Sequence, residues 1–252
     1  MADRAVSETL GFVIIFSLVL LTATIASVGG IQSLQESRQF QQVENTERAF
    51  EIMATNMEEI HDGGAPSRAT EITIAQGSLR FGDPTTLNVT VEDGSDTSNR
   101  TYDITPIIYE STSDEELIYA GGAVFRTDGN GNGLVTQDPP LKFEDDRVLV
   151  SAVATTASNS GRSVGSTTVL VRAESTETNV SLSDRTGTYD DVWVNVTSER
   201  AHLWQDYFER TAMEGCTTGT DADGDAYVEC NLNATPEMVY INAEFIQVEF
   251  EV

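Results

Sequence analysis

His61 and His202 are the only two histidines in the 252-residue chain, so any imidazole-based acid–base or nucleophilic chemistry would have to be built on one of them. No Gly-x-Ser-x-Gly, His-Glu-x-x-His or phosphate-cradling glycine loop accompanies either. His202 adjoins Leu203 and Trp204, a setting suited to a structural role, and no catalytic residue is expected. One stretch invites a metal. Asp128-Gly129-Asn130-Gly131-Asn132-Gly133 begins like a calcium loop, offering oxygens from Asp128, Asn130 and Asn132 with a glycine for the sharp turn. Pro139 stands where the bidentate glutamate belongs, and Asp138 is the nearest carboxylate. Asp221-Ala222-Asp223-Gly224-Asp225 alternates its acids but has its glycine out of place. Solvated hairpin turns are the competing reading of both stretches, and calcium is the only cofactor with any candidate ligands.

Cys216 and Cys230 are the only cysteines. There is no Cys-x-x-Cys and no histidine nearby, which sets aside metal ligation and redox catalysis. In an exported segment such a pair closes a disulfide. Five sites fit Asn-x-Ser/Thr, at Asn88, Asn99, Asn179, Asn195 and Asn233. Asn88, Asn179 and Asn195 fall out of phase with the aliphatic residues of their strands, which places them toward solvent and makes them glycosylation candidates.

Acidic residues number 41 against 14 basic ones, for a formal charge of −27, and Lys142 is the single lysine. Such a charge opposes compaction unless salt screens it, so the composition suits a salt-rich medium. It excludes nucleic acid as a partner, because phosphate binding needs clustered Lys and Arg.

From Thr9 to Gln35 no residue is charged, and Leu10 to Val28 is rich in Phe, Ile, Leu and Val. About 20 apolar residues cross a bilayer, so this run is expected to be a membrane helix. A secretory signal places its cleavage site after the apolar core; here the processing-like Arg4-Ala5 precedes it. Asp3-Arg4-Ala5-Val6-Ser7 followed by the apolar run resembles the type IV pilin family, and within it the archaeal pilin-like proteins of halophiles. The resemblance covers residues 1 to about 30. It implies cleavage between Arg4 and Ala5 by a prepilin peptidase, with the helix retained for anchoring or polymerisation. Many halophilic pilins have proline where this chain has Glu8, and bacterial pilins carry their glutamate one residue further in. Glu8 is assigned here to assembly, paired with the new amino terminus of Ala5. Gly64 to Glu71 resembles an uncharacterised group of halophilic surface proteins, a likeness that brings no activity.

Gly29-Gly30 is expected to kink the helix. Beyond it, Val43, Phe50 and Met57 recur every seven residues, with Met53 and Ile60 between them, as an amphipathic seam suited to packing on a head or on a neighbouring helix. His61-Asp62-Gly63-Gly64-Ala65-Pro66 ends it. Alternating apolar stretches between turns then predict many short strands. A phase change at Phe245-Ile246 predicts a bulge or sheet switch in the last one. A short helix is expected over Ser198 to Met213, with Ser198 as N-cap.

The sequence thus predicts an α+β chain: a long N-terminal hydrophobic helix, kinked near Gly29-Gly30, followed by a mainly antiparallel, β-sandwich-like head with one short helix. The expected parts are a leader at 1–4, a transmembrane or filament-core helix at 5–30, an amphipathic extension at 31–62, and an extracellular head at 67–252 that splits, if at all, near 173–178. The expected function is that of a pilin-like cell-surface subunit whose partners are the membrane, a prepilin peptidase and other pilin-like subunits. Its place is the cell membrane as a single-pass protein with an extracellular head, or an extracellular filament. The alternatives are a membrane-anchored surface glycoprotein or binding module that never polymerises, and a minor pseudopilin-like filament component.

Overall fold

A computed structural model describes residues 2–158, 163–184, 189–232 and 234–252, with side chains placed at 11–27, 37–38, 40–158, 163–183, 189–232 and 234–252. Two compact units divide the chain, Met1–Glu44 and Asn45–Val252. The chain opens with α1 (Ala2–His61). The first strands are β1 (Ser67–Thr73), β2 (Ser78–Phe81), β3 (Thr85–Asp93), β4 (Asp96–Ile104), β5 (Ile107–Glu110) and β6 (Glu116–Ala120). Next come β7 (Ala123–Thr127), β8 (Gly133–Gln137), β9 (Leu141–Phe143), β10 (Arg147–Ala157), β11 (Val164–Gly165), β12 (Thr168–Asp184) and β13 (Asp191–Thr197). Helix α2 (Ala201–Phe208) then precedes β14 (Met213–Thr220), β15 (Ala226–Leu232) and β16 (Met238–Glu251).

This corrects the expected fold class. Among the described residues the chain is mostly β, with 16 strands, and is not an α+β protein led by a long hydrophobic helix. No helix among the described residues is long and apolar enough to cross a membrane. The physical reason is the weight of alternating apolar residues after His61, which pair into three sheets and outnumber the helical residues. The expected kink at Gly29-Gly30 falls outside the residues described in full.

Nor is the strand-rich unit a two-layer sandwich. Its strands form three sheets, ordered β1-β12-β16-β10-β9, β11-β2-β5-β6-β7-β8 and β14-β15-β13-β3-β4. Most pairs are antiparallel, but β10 and β16 run parallel, from Arg147↔Met238 to Ala157↔Val248. Strand β12 runs through residues 173–178 with a register shift between Ser175 and Glu177.

Two buried clusters lie in this unit. The larger gathers the inner face of β3, β13 and β15 with α2 and parts of both other sheets. The smaller gathers Phe50, Met53, Met57 and Ile60 of α1 with Ile72, Tyr109, Tyr119, Val171 and Val248. The middle sheet separates them, since Ile108, Ile118 and Phe125 join one cluster while Tyr109, Tyr119 and Val124 join the other. A strand covered on both faces has no polar side to show, which explains the continuous apolar runs Ile107-Ile108-Tyr109 and Leu117-Ile118-Tyr119.

Strand β16 serves both clusters in succession. Val239, Ile241 and Ala243 enter the larger one, and Ile246, Val248 and Phe250 the smaller. The phase change read at Phe245-Ile246 is thus a change of core within one strand, which stays in one sheet. The register shifts fall on its neighbour β12, between Ser175 and Glu177 and between Val180 and Leu182. Glu244, at the crossover, is buried but accepts hydrogen bonds from the Ser175 hydroxyl and from Thr178 Oγ1 at 2.6 Å.

Several polar ties hold the end of α1 to the sheets. Arg126 bridges Glu47 at 2.8 Å and Glu115 at 3.1 Å; Asn56 Nδ2 donates to Thr70 Oγ1 at 2.7 Å; Arg68 Nε donates to Glu59 Oε2 at 2.6 Å. At the helix end Gly64 takes φ +66°, and a Cβ on Gly63 would meet the Glu59 carbonyl oxygen at 2.6 Å. Glycine is therefore required sterically at this stop. Helix α2 is shorter than expected and starts later, at Ala201. Ser198 Oγ accepts from the Arg200 N–H at 3.2 Å ahead of it, and Leu203, Trp204, Tyr207 and Phe208 are buried.

Candidate functional site

Three regions carry the residues singled out above. The first is α1 between Phe12 and Ile25, where the apolar side chains point into solvent: Phe12 is 68% exposed, Ile14 58% and Leu18 61%. Polar groups here turn inward to the helix itself, Thr22 Oγ1 donating to the Leu18 and Val19 carbonyls and Thr24 Oγ1 to Leu20. The outer surface is therefore almost wholly hydrocarbon, a patch of the kind that marks an interaction surface. Arg4, Ala5 and Glu8, assigned to processing and assembly, lie outside the residues whose side chains are described.

The second region is the outer face of the sheet β14-β15-β13-β3-β4. In an extended strand residues i and i+2 share a face, so an Asn-x-Thr site in a strand displays its amide and hydroxyl together. Here three sites stand side by side: Asn88 is in register with Thr101 on one side and with Asn195 on the other, and Thr90 with Asn99. Asn88 Nδ2 donates to Asn99 Oδ1 and to Thr101 Oγ1, both at 3.0 Å. Thr90 Oγ1 returns a bond to Asn88 Oδ1 at 3.2 Å, and Asn195 Nδ2 donates to Glu229 Oε2 at 3.3 Å. Asn99 is exposed, whereas Asn88 and Asn195 are half-buried. Asn179 is exposed on β12, and Asn233 lies outside the described residues. Sequence reasoning treated these sites singly; their assembly into one array depends on strand order.

On the inner side of this sheet Cys216 and Cys230 are bonded, tying β14 to β15 beside the register shift between Glu214 and Thr217. The bridge closes a loop with a sequence separation of 14, which in the chain-entropy account contributes about 3 kcal/mol. Replacing both cysteines with serine is expected to lower the stability of the strand-rich unit by that amount, seen as a lower urea midpoint. An unchanged midpoint would show that the bridge restrains nothing in the unfolded chain.

The third region is the pair of acidic turns. Asp128 Oδ1 accepts from the backbone N–H groups of Asn130 and Asn132, each at 2.9 Å, and Oδ2 accepts from Asn132 Nδ2 at 3.1 Å. These bonds, chiefly from the Asn132 side chain and the Asn130 backbone, hold the Asp128 carboxyl below its ordinary pKa. Asp128 thus closes the β7–β8 turn with the oxygens a cation would need, while Asn132 contributes its amide nitrogen. Asp221 does the same between β14 and β15, accepting from Asp223 at 3.0 Å and Asp225 at 2.9 Å. Among the described residues no group of three or more His, Cys, Asp or Glu is placed to hold a metal.

Asp128 and His202 share an open hollow of about 410 Å3 with Glu116 and Arg200. Glu116 is engaged there by Arg200 at 2.7 Å and by Arg80 at 3.5 Å. A second, more enclosed cavity of about 300 Å3 includes Glu58, His61, Tyr119 and Lys142. Sequence reasoning missed it, and its one visible signal was the chain's single lysine.

No curated protein matches the chain. The sequence profile of one family matches residues 4–249, nearly the full length. The chain belongs to the family of unknown function DUF7289.

Proposed function

We propose that this chain is a pilin-like structural subunit of the cell surface, assembling through the apolar side chains of α1 and displaying its strand-rich unit outward. The supporting observation is the exposed hydrocarbon between Phe12 and Ile25. Each square ångström of it removed from water is worth about 25 cal/mol, so an aqueous existence is disfavoured and packing against the same segment of further copies is the natural relief. The reading takes a prepilin peptidase as the processing partner at Arg4-Ala5 and Glu8 as the acceptor for the freed amino group. The outward unit suits display: a disulfide holds two of its strands, and two sites exposed among the described residues, Asn99 on β4 and Asn179 on β12, offer acceptors for glycans.

Electron microscopy of material sheared from the native cell surface, with N-terminal sequencing and intact mass on the same sample, tests this. Filaments containing a chain that starts at Ala5, with added mass at the Asn sites, are expected. Unassembled particles starting at Met1 or Ala2 would replace the reading with that of a surface module that does not polymerise, and an unmodified mass would remove the glycans.

A further inference from the structure

The outer face of the sheet β14-β15-β13-β3-β4 carries an aromatic side chain that the Asn-x-Thr sites do not account for. Val192, Val194 and Val196 of β13 are buried in the larger core, so Trp193 and Asn195 between them point outward. Trp193 is in register with Thr90 of β3, and Thr90 with Asn99 of β4. On its other side Trp193 is in register with Asn231 of β15. One row therefore runs Asn99, Thr90, Trp193, Asn231, starting on the edge strand β4. None of the four is charged, in a chain whose formal charge is −27. A half-buried indole in such a row is a flat apolar plate with amides and a hydroxyl beside it. A sugar ring is its complement, with an apolar C–H face for the plate and a rim of hydroxyls for the polar neighbours.

The hydrogen bonds single out one acceptor for that sugar. Asn88 Nδ2 is engaged by Asn99 Oδ1 and Thr101 Oγ1, and Asn195 Nδ2 by Glu229 Oε2. Asn99 is arranged the other way round. Its Oδ1 accepts from Asn88 Nδ2 at 3.0 Å and from Thr101 Oγ1 at 3.4 Å, while among the described residues no hydrogen bond engages its Nδ2. A carboxamide whose oxygen is held by its neighbours turns its nitrogen away from them, and Asn99 is exposed. Neighbouring strands lie about 4.8 Å apart, so the backbones at Asn99 and Trp193, two strands apart, are separated by about 10 Å. The first sugars of a chain on Asn99 reach that far.

We propose that Asn99 is the modified member of the array and that its glycan folds back along the row, over Thr90, to pack sugar rings on Trp193. This rests on the glycan reading given above and adds the site's selectivity and the surface the glycan covers. In the transfer, Nδ2 of Asn99 bonds to the anomeric carbon of a glycosyl phosphate donor and loses one proton, and the bond from that carbon to the phosphate oxygen breaks, its electron pair leaving with the phosphate. Asn88 and Asn195 stay unmodified, since their nitrogens are held in the sheet's own bonds.

The full chain from the native host, as parent, Asn99→Gln and Asn179→Gln, tests this by site-resolved glycopeptide mass spectrometry and by acrylamide quenching of tryptophan fluorescence. The chain has two tryptophans and Trp204 is 1% exposed, so a change in quenching reports Trp193. Acrylamide is neutral and is not repelled by the acidic surface. Sugar mass is expected on Asn99 and not on Asn88 or Asn195. Asn99→Gln should lose the shielding of Trp193, read as stronger quenching, whereas Asn179→Gln should quench as the parent does. Asn99 is exposed on an edge strand, so the substitution keeps the fold, checked by an unchanged far-ultraviolet circular dichroism spectrum. A bare Asn99, or sugar on Asn88 or Asn195, overturns the selectivity; if Asn179 is bare as well, the glycan reading falls with it. A modified Asn99 whose removal leaves quenching unchanged overturns the packing on Trp193 and leaves the glycan reading standing.

Discussion

Ending the chain at Phe245 is expected to leave the strand-rich unit unable to fold. Strand β16 is the central strand of its sheet, paired with β12 on one side and β10 on the other. The lost residues include Ile246, Val248 and Phe250, all at most 1% exposed in the cluster that also receives α1. Each buried side chain of this size is worth roughly 1.5–3 kcal/mol, so three account for about 5–9 kcal/mol before the lost ladder bonds and the resulting void are counted. Whole domains are stable by only about 5–15 kcal/mol. The truncated chain should lack a cooperative thermal transition in near-ultraviolet circular dichroism. Val248→Asp, which buries one unpaired carboxylate in the same cluster, should lower stability by about 3 kcal/mol or more. A cooperative melt near the full-length midpoint in both proteins would show that β16 is an accessory strand.

Leu18→Asp is expected to abolish assembly while leaving the strand-rich unit's stability within about 0.5 kcal/mol of the parent. Leu18 is 61% exposed, so the folded chain loses no packing. In an assembled state built on α1, every copy would bring a carboxylate into a hydrocarbon interface, and an uncompensated buried charge costs about 3–5 kcal/mol. That cost recurs at each subunit. Negative-stain microscopy of cells carrying the variant should show no filaments where the parent shows them, with the protein still present and the urea midpoint of its strand-rich unit unmoved. Filaments of normal length would exclude this face of α1 from the assembly contact.

Much of the local structure was legible. Leu87, Val89 and Val91 alternate in the sequence and become the buried face of β3; Phe50, Met53, Met57 and Ile60 recur at helical spacing and are all buried. The stop after His61 was written in Gly63-Gly64. The fold class was misjudged, because the charge-free run from Thr9 to Gln35 outweighed a long series of weak strand signals. Each short strand announces itself faintly, and their dominance is visible only when they pair. The parallel alignment of β10 with β16 was equally hidden, since nothing in either segment names a partner some 90 residues away. The cavity was hidden for the same reason: Glu58, Tyr119, Lys142 and Val153 come from four separate stretches of chain.

By itself the sequence determined the acidity, the exposed hydrocarbon of α1, the cysteine pair, the Asn-x-Thr sites and the alternation that makes strands, because each follows from the composition or period of a short segment. Tertiary structure alone decided the three-sheet arrangement, the two cores joined through β16, the array of Asn88, Asn99 and Asn195, and the complete burial of Tyr119. Those depend on which distant segments exclude water from one another, and side-chain periodicity carries no record of that choice.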